Sequence, residues 1–120
     1  TLGQGRWGPL PTDVFDVRLN TTNRDANGRP SLTGPGGVMP QLIHVVYTYD
    51  GSVARLYYNG LEVAAEQIGG DFSNWHTDAL FGLANEINDE RPWLGTYHRV
   101  AVYNTALPAQ TITELFTFGP

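Results

Sequence analysis

Residues 42–60 read LIHVVYTYDGSVARLYYNG. Ile43, Val45, Tyr47 and Tyr49 fall at every second position, and Ala54, Leu56 and Tyr58 resume that spacing after Asp50-Gly51-Ser52. Side chains two apart share one face of a strand. Asp50-Gly51-Ser52 breaks the run with residues suited to a tight turn, and Asn59-Gly60 breaks it again before Leu61-Glu62-Val63-Ala64-Ala65-Glu66. The stretch predicts three short antiparallel strands joined by two tight turns, a β-meander.

On the N-terminal side, Thr1 to Gln4 reads as the tail of a strand, and residues 3–11 form a glycine- and proline-rich loop that holds Trp7. Apolar and polar residues alternate over 14–19, which predicts a strand. Residues 20–41 are rich in Asn, Thr, Gly, Pro and Ser. So long a connection is either a functional loop or conceals a hairpin, and Asn27-Gly28 favours a hairpin turning at 25–28. On the C-terminal side, residues 68–78 read as a loop carrying Trp75 and His76, 79–86 as a buried strand, 88–92 as a turn and 93–103 as a long strand. Pro108 then opens a short helix whose apolar side is Leu107, Ile112, Leu115 and Phe116, and Gly119-Pro120 stops it.

These elements predict an all-β, antiparallel β-sandwich with a short C-terminal helix. Val45, Tyr47, Leu56, Tyr58, Leu83, Val100 and Val102 are its expected core, with Ile112, Leu115 and Phe116 covering one edge or end. The length of 120 residues suits one domain over 1–120. No apolar run approaches the roughly 20 residues that span a bilayer, so no membrane insertion is expected. Twelve acidic residues against seven basic ones give a net charge of −5, and the basic residues are scattered, which argues against a nucleic-acid partner. The absence of cysteine excludes disulfides, thiolate catalysis and Cys-ligated zinc.

Two segments, HVVYTYDGSVARLYYNGLEV at 44–63 and WLGTYHRVAVYNTALPAQTITELF at 93–116, carry a family resemblance. They resemble the LamG-like domains of the concanavalin A-like lectin/glucanase superfamily, which read roughly His-Val-x-x-Thr-Tyr-Asp-Gly, then Leu-Tyr-x-Asn-Gly, then a late strand ending Val-x-Val/Ile-Tyr-Asn and a helix opened by Ala-Leu-Ser/Pro. The likeness covers 42–118 well and 1–41 loosely, and FGLANEINDERPWLGTYHRVAVY looks especially like bacterial members. It implies a concanavalin A-like jelly roll. Family domains are usually longer, so the resemblance also implies that N-terminal strands are lacking here, to be supplied by a preceding segment or by a second copy in a homo-oligomer. His98-Arg99 stands where members often carry an acidic pair, so no role of that pair transfers.

Three constellations bear on chemistry. Trp7, Trp75 and Trp93 lie in or beside loops, and Asn74, His76 and Asp78 flank Trp75. An aromatic ring offers a flat apolar face to the C–H face of a sugar while neighbouring polar groups bond its hydroxyls. The structural alternative is that these tryptophans plug the core or anchor loops. Asp71, Asp78, Asn85 and Glu86 supply the oxygen ligands a calcium ion needs, though at no EF-hand spacing, and similar jelly rolls often carry calcium between loops. The alternative there is solvated acids and turn caps. Finally, Glu86-Ile87-Asn88-Asp89-Glu90 is similar to the Glu-Ile-Asp-x-Glu strand of related glucanases. Carboxylates four apart on a strand stand about 13 Å apart by rise, against the roughly 5 Å of retaining glycosidases. Asn88 replaces the central Asp, and Arg91-Pro92 makes a turn of the segment.

The expectation is a non-catalytic carbohydrate-binding module of a secreted or cell-surface (extracellular or periplasmic) protein, with an oligo- or polysaccharide as ligand. A protein-interaction or structural accessory domain without a sugar site is the alternative, and a glycoside hydrolase fragment stands behind both.

Overall fold

A computed structural model describes residues 1–4, 11–78, 82–83, 93 and 95–119. Six strands and one helix lie among them: β1 (Leu2–Gln4), β2 (Val14–Val17), β3 (Leu32–Gly37), β4 (Val45–Tyr49), β5 (Val53–Tyr58), β6 (Leu61–Gln67) and α1 (Ala109–Phe118). The strands form two antiparallel sheets, ordered β1-β2-β3 and β4-β5-β6.

The second sheet is the predicted meander in the predicted register. Val45 pairs with Tyr58, Tyr47 with Leu56 and Tyr49 with Ala54, so the period-two residues of β4 and β5 share one face. Ala54 and Leu56 are fully buried, while Val45, Tyr47 and Tyr49 pack against them half-buried. The first turn is held by Asp50, whose Oδ1 accepts the Ser52 and Val53 N–H groups at 3.0 and 2.7 Å. Its Oδ2 meets Arg55 Nη1 at 2.8 Å. At the second turn Tyr58 pairs with Leu61 across Asn59 and Gly60, at φ 50° and 83°. Positive φ at both central residues makes the two-residue hairpin whose twist matches the strands, which is why Asn-Gly stands there.

β3, with sequence LTGPGG, lies in the segment expected to be a hairpin or loop, and its pattern gives no strand signal. It forms because it is an edge strand, where Pro35 loses no ladder bond that the sheet requires, and because its glycines let the sheets approach. A Cβ on Gly34 would lie 2.7 Å from Val63 Cγ2, and one on Gly37 would lie 2.6 Å from Tyr58 Cε2. β3 packs on β5 and β6 here, and Phe15 of β2 meets Tyr58 with ring centroids 5.5 Å apart. Phe15, Val17, Leu32, Ala54, Leu56 and Tyr58 close the core of the sandwich.

Helix α1 starts after Pro108 and ends at Gly119. Ile112 is fully buried and Leu115 half-buried, as expected. Thr113 Oγ1 donates to Gly60 C=O at 3.0 Å, and Phe116 stacks on His44 at 6.2 Å while leaving half its surface in solvent. The helix therefore covers the end of the meander at its second turn.

Downstream of β6 the expectation needs correction. No described residue of 93–103 is in a strand, and Leu83, Val100 and Val102 are exposed at 46, 44 and 80%. Alternation makes a segment able to pair, but burial needs a free apolar face. The core face of the meander is already covered by Phe15, Val17 and Leu32 from the other sheet. The strand expected at 79–86 falls largely outside the described residues, of which 82 and 83 are not in a strand.

Candidate functional site

The 14 residues between β2 and β3 and the segment after β6 are stitched together by a series of polar contacts. At the base, Arg24 Nη2 pairs with Glu66 Oε1 of β6 at 2.7 Å, with the Arg24 side chain nearly buried. Beside this pair, burial above all pushes the Tyr47 phenol up to about 12. Thr21 is fully buried, and its hydroxyl donates to Gly69 C=O at 3.0 Å and accepts from Asn23 N–H at 3.3 Å. Asn23 Nδ2 donates to Ile68 C=O, and Thr22 exchanges two bonds with Asp71, one from its N–H to the Asp71 C=O and one from the Asp71 N–H to its Oγ1. A Cβ on Gly70 would lie 2.9 Å from Thr22 Oγ1, so glycine is what allows the two segments this approach. At the far end Asn74 Nδ2 donates to Asn20 Oδ1 at 2.9 Å and Trp75 Nε1 donates to Asn20 C=O at 2.7 Å.

Trp75 is thereby fixed in orientation yet half exposed. An aromatic chain supports it: Phe72 lies 4.9 Å from Trp75 and 5.7 Å from Tyr49 of β4, and the Tyr49 hydroxyl donates to Gly70 C=O at 2.6 Å. Beside the indole opens a pocket of about 420 Å³ lined by Arg18, Leu19, Asn20, Asn27, Arg29 and Trp75, among others. The turn that brings Asn27 and Arg29 into it is built by Asp25, whose Oδ1 accepts the N–H groups of both residues at 2.9 and 2.8 Å, with Gly28 N–H closing on Asp25 C=O. A flat apolar ring, a side-chain amide and guanidinium donors around an open cavity of this size are what a polar ring-shaped ligand requires.

Of the expected ligand-binding residues, Trp75 lines the pocket and Asn74 positions it through Asn20. His76 and Asp78 are exposed and line no part of it. Trp93 is half-buried against the core instead, edge-on to Phe15 at 6.3 Å and to Tyr97 at 5.0 Å. Trp7 lies outside the described residues. Arg18, Asn20, Asn27 and Arg29 were not among the residues the sequence singled out. The only signal for Asn20, Asn27 and Arg29 was the polar density of the long 20–41 loop and its Asn-Gly turn, while Arg18 fell in the strand expected at 14–19, and neither signal says which distant aromatic these residues meet.

For calcium, Asp71 and Asp78 are described and Asn85 and Glu86 are not. The Asp71 Oδ1 is committed to Ser73, accepting its hydroxyl at 2.6 Å and its N–H at 3.0 Å, and these bonds hold its carboxyl below the ordinary range. Among the described residues no three His, Asp or Glu side chains gather as a metal would need. The segment 84–92 holding Glu86 and Glu90 also lies outside the description.

Known proteins give the wider context. No curated protein matches the chain. A crystal structure of an S-layer domain-containing protein from Clostridium thermocellum superposes with a TM-score of 0.60 at 16% identity, covering 87% of this chain and 51% of the other. The chain thus spans about half the length of that structure, and the likeness is one of fold. The Laminin_G_3 family, described as concanavalin A-like lectin/glucanases superfamily, matches residues 11–113, which takes in strands β2 to β6 and the start of α1. With strands β2 to β6, the Asn-Gly meander among them, and the start of its closing helix inside that match, the chain belongs to the concanavalin A-like lectin/glucanases superfamily.

Proposed function

We propose that this domain is a non-catalytic carbohydrate-binding module, carried on a cell-surface or secreted protein, and that it takes an oligosaccharide at Trp75. One observation carries the reading: Trp75 is locked by its indole N–H to Asn20, yet presents half its surface beside a pocket lined by Asn20, Asn27 and Arg29. A ring held in place before the ligand arrives spends little side-chain entropy on stacking. Membership of a lectin-containing superfamily supports the ligand class, and the S-layer domain-containing neighbour supports a surface setting. No helix among the described residues is long and apolar enough to cross a membrane. A glycan array tests the proposal. Saturable binding that is lost in Trp75→Ala, with a cooperative melt retained, is the expected result, whereas a blank array refutes it.

A second reading, an accessory domain that binds protein, is favoured by the apolar surface of Val102 and Phe118, exposed at 80 and 83%. It predicts the blank array, together with association that Val102→Ser and Phe118→Ser weaken.

A further inference from the structure

The charge around the Trp75 pocket is opposite to that of the chain. Twelve acidic and seven basic residues make the whole acidic, and all seven basic ones are arginine. Yet two of those arginines, Arg18 and Arg29, line this one pocket, and no Asp or Glu does among the described residues. The two guanidinium groups are not equivalent. Arg18 shares its charge with Asp16, Nε to Oδ2 at 3.3 Å, on the sheet side. The Arg29 side chain is exposed and makes no ion pair with a described residue, while its backbone N–H is held by Asp25. The nearest carboxylate of the turn, Asp25, therefore spends an oxygen on the N–H groups of Asn27 and Arg29 instead of on a guanidinium.

We infer that the sugar taken at Trp75 is acidic, a uronic-acid residue whose carboxylate is bound by Arg29 with Arg18 behind it. The inference rests on the carbohydrate reading and names its ligand class. A planar guanidinium presents a fork of donors that matches a carboxylate, and such charge-assisted bonds are about twice as strong as neutral ones. Trp75 supplies the face for the sugar ring, and Asn20 and Asn27 bring amide groups for its hydroxyls. A neutral sugar would leave Arg29 without an anion.

The experiment is an array of uronic-acid oligosaccharides printed beside their carboxyl-reduced counterparts, so that each pair differs only in the charge. It is read with the wild-type chain, Arg29→Gln and Trp75→Ala, each checked for a wild-type melt. The expected result is binding to acidic members, at least tenfold weaker binding of the reduced ones, and a loss of about tenfold for acidic ligands in Arg29→Gln. Binding of the acidic members should also weaken as salt rises. Equal or tighter binding of the reduced sugars, abolished in Trp75→Ala, overturns the acidic inference and leaves the carbohydrate reading standing. An acid preference that survives in Arg29→Gln overturns the assignment to Arg29. Binding of neither class overturns both.

Discussion

Replacing the buried Thr21 by valine tests whether the candidate site is held by the stitching between its two loops. The Thr21 hydroxyl makes two contacts, donating to Gly69 C=O at 3.0 Å and accepting the Asn23 N–H at 3.3 Å. Valine keeps the shape but strips Gly69 of that donor and Asn23 of that acceptor. An unsatisfied carbonyl of this kind costs about 1–3 kcal/mol, and the longer bond from Asn23 adds less than about 1 kcal/mol. The methyl that replaces the hydroxyl returns about 0.8 kcal/mol by burial. The balance is a loss of about 1–2 kcal/mol, placed toward the lower end because Gly69 is only half-buried. Urea unfolding measures it, with Thr21→Ser as a control that keeps the hydroxyl. Because Asn20 precedes this staple and orients Trp75, binding at the indole should weaken in Thr21→Val and stay near wild type in Thr21→Ser. A Thr21→Val protein as stable as wild type, with unaltered ligand affinity, would refute the idea that this contact organises the site.

Further outcomes follow from other contacts. Gly34→Ala should cost about 1–3 kcal/mol in urea unfolding by driving a methyl against stiff Val63, and Val63→Ala should restore part of it; additive losses would mean the sheets do not meet there. Asp50, held at about 2 by the Val53 N–H first and then by Arg55 and the Ser52 N–H, lies below its ordinary 3.8, so it stabilises the fold above 3.8 and the benefit fades as pH falls toward 2. In acid melts, Asp50→Asn should keep the turn but lose this dependence. Burial lowers the His44 pKa from 6.5, so its contribution is present above 6.5 and drains away as pH falls below it. The wild-type melting temperature should drop more over that range than that of His44→Phe, which keeps the stack on Phe116; parallel curves would exclude His44 as the cause. If Asn85 and Glu86 join Asp71 and Asp78 around calcium, millimolar calcium should raise the melting temperature over chelator by mass action, and superimposed curves would remove the ion.

What was legible in the sequence is what local chemistry decides. The face shared by Val45, Tyr47, Leu56 and Tyr58 follows from period two, the second hairpin from the positive φ that Asn59 and Gly60 accept, and the helix from its proline start and glycine stop. Such features need only neighbours within a few residues. Strand β3 was not legible, since LTGPGG has no periodic apolar face and becomes a strand only because Tyr58 and Val63 occupy the room its missing side chains leave. The converse holds at 95–103, where a strand-like pattern finds the core face of the meander already covered. For the candidate site, Trp75 and Asn74 stood out because a tryptophan in a polar loop is a local signal. Their partnership with Asn20 and the Arg29 turn was hidden, because it spans fifty-five positions between Asn20 and Trp75 and depends on which loops two packed sheets bring to the same end. Tertiary structure alone decided that, since no local rule relates residues so distant until the sheets fix the ends of both loops.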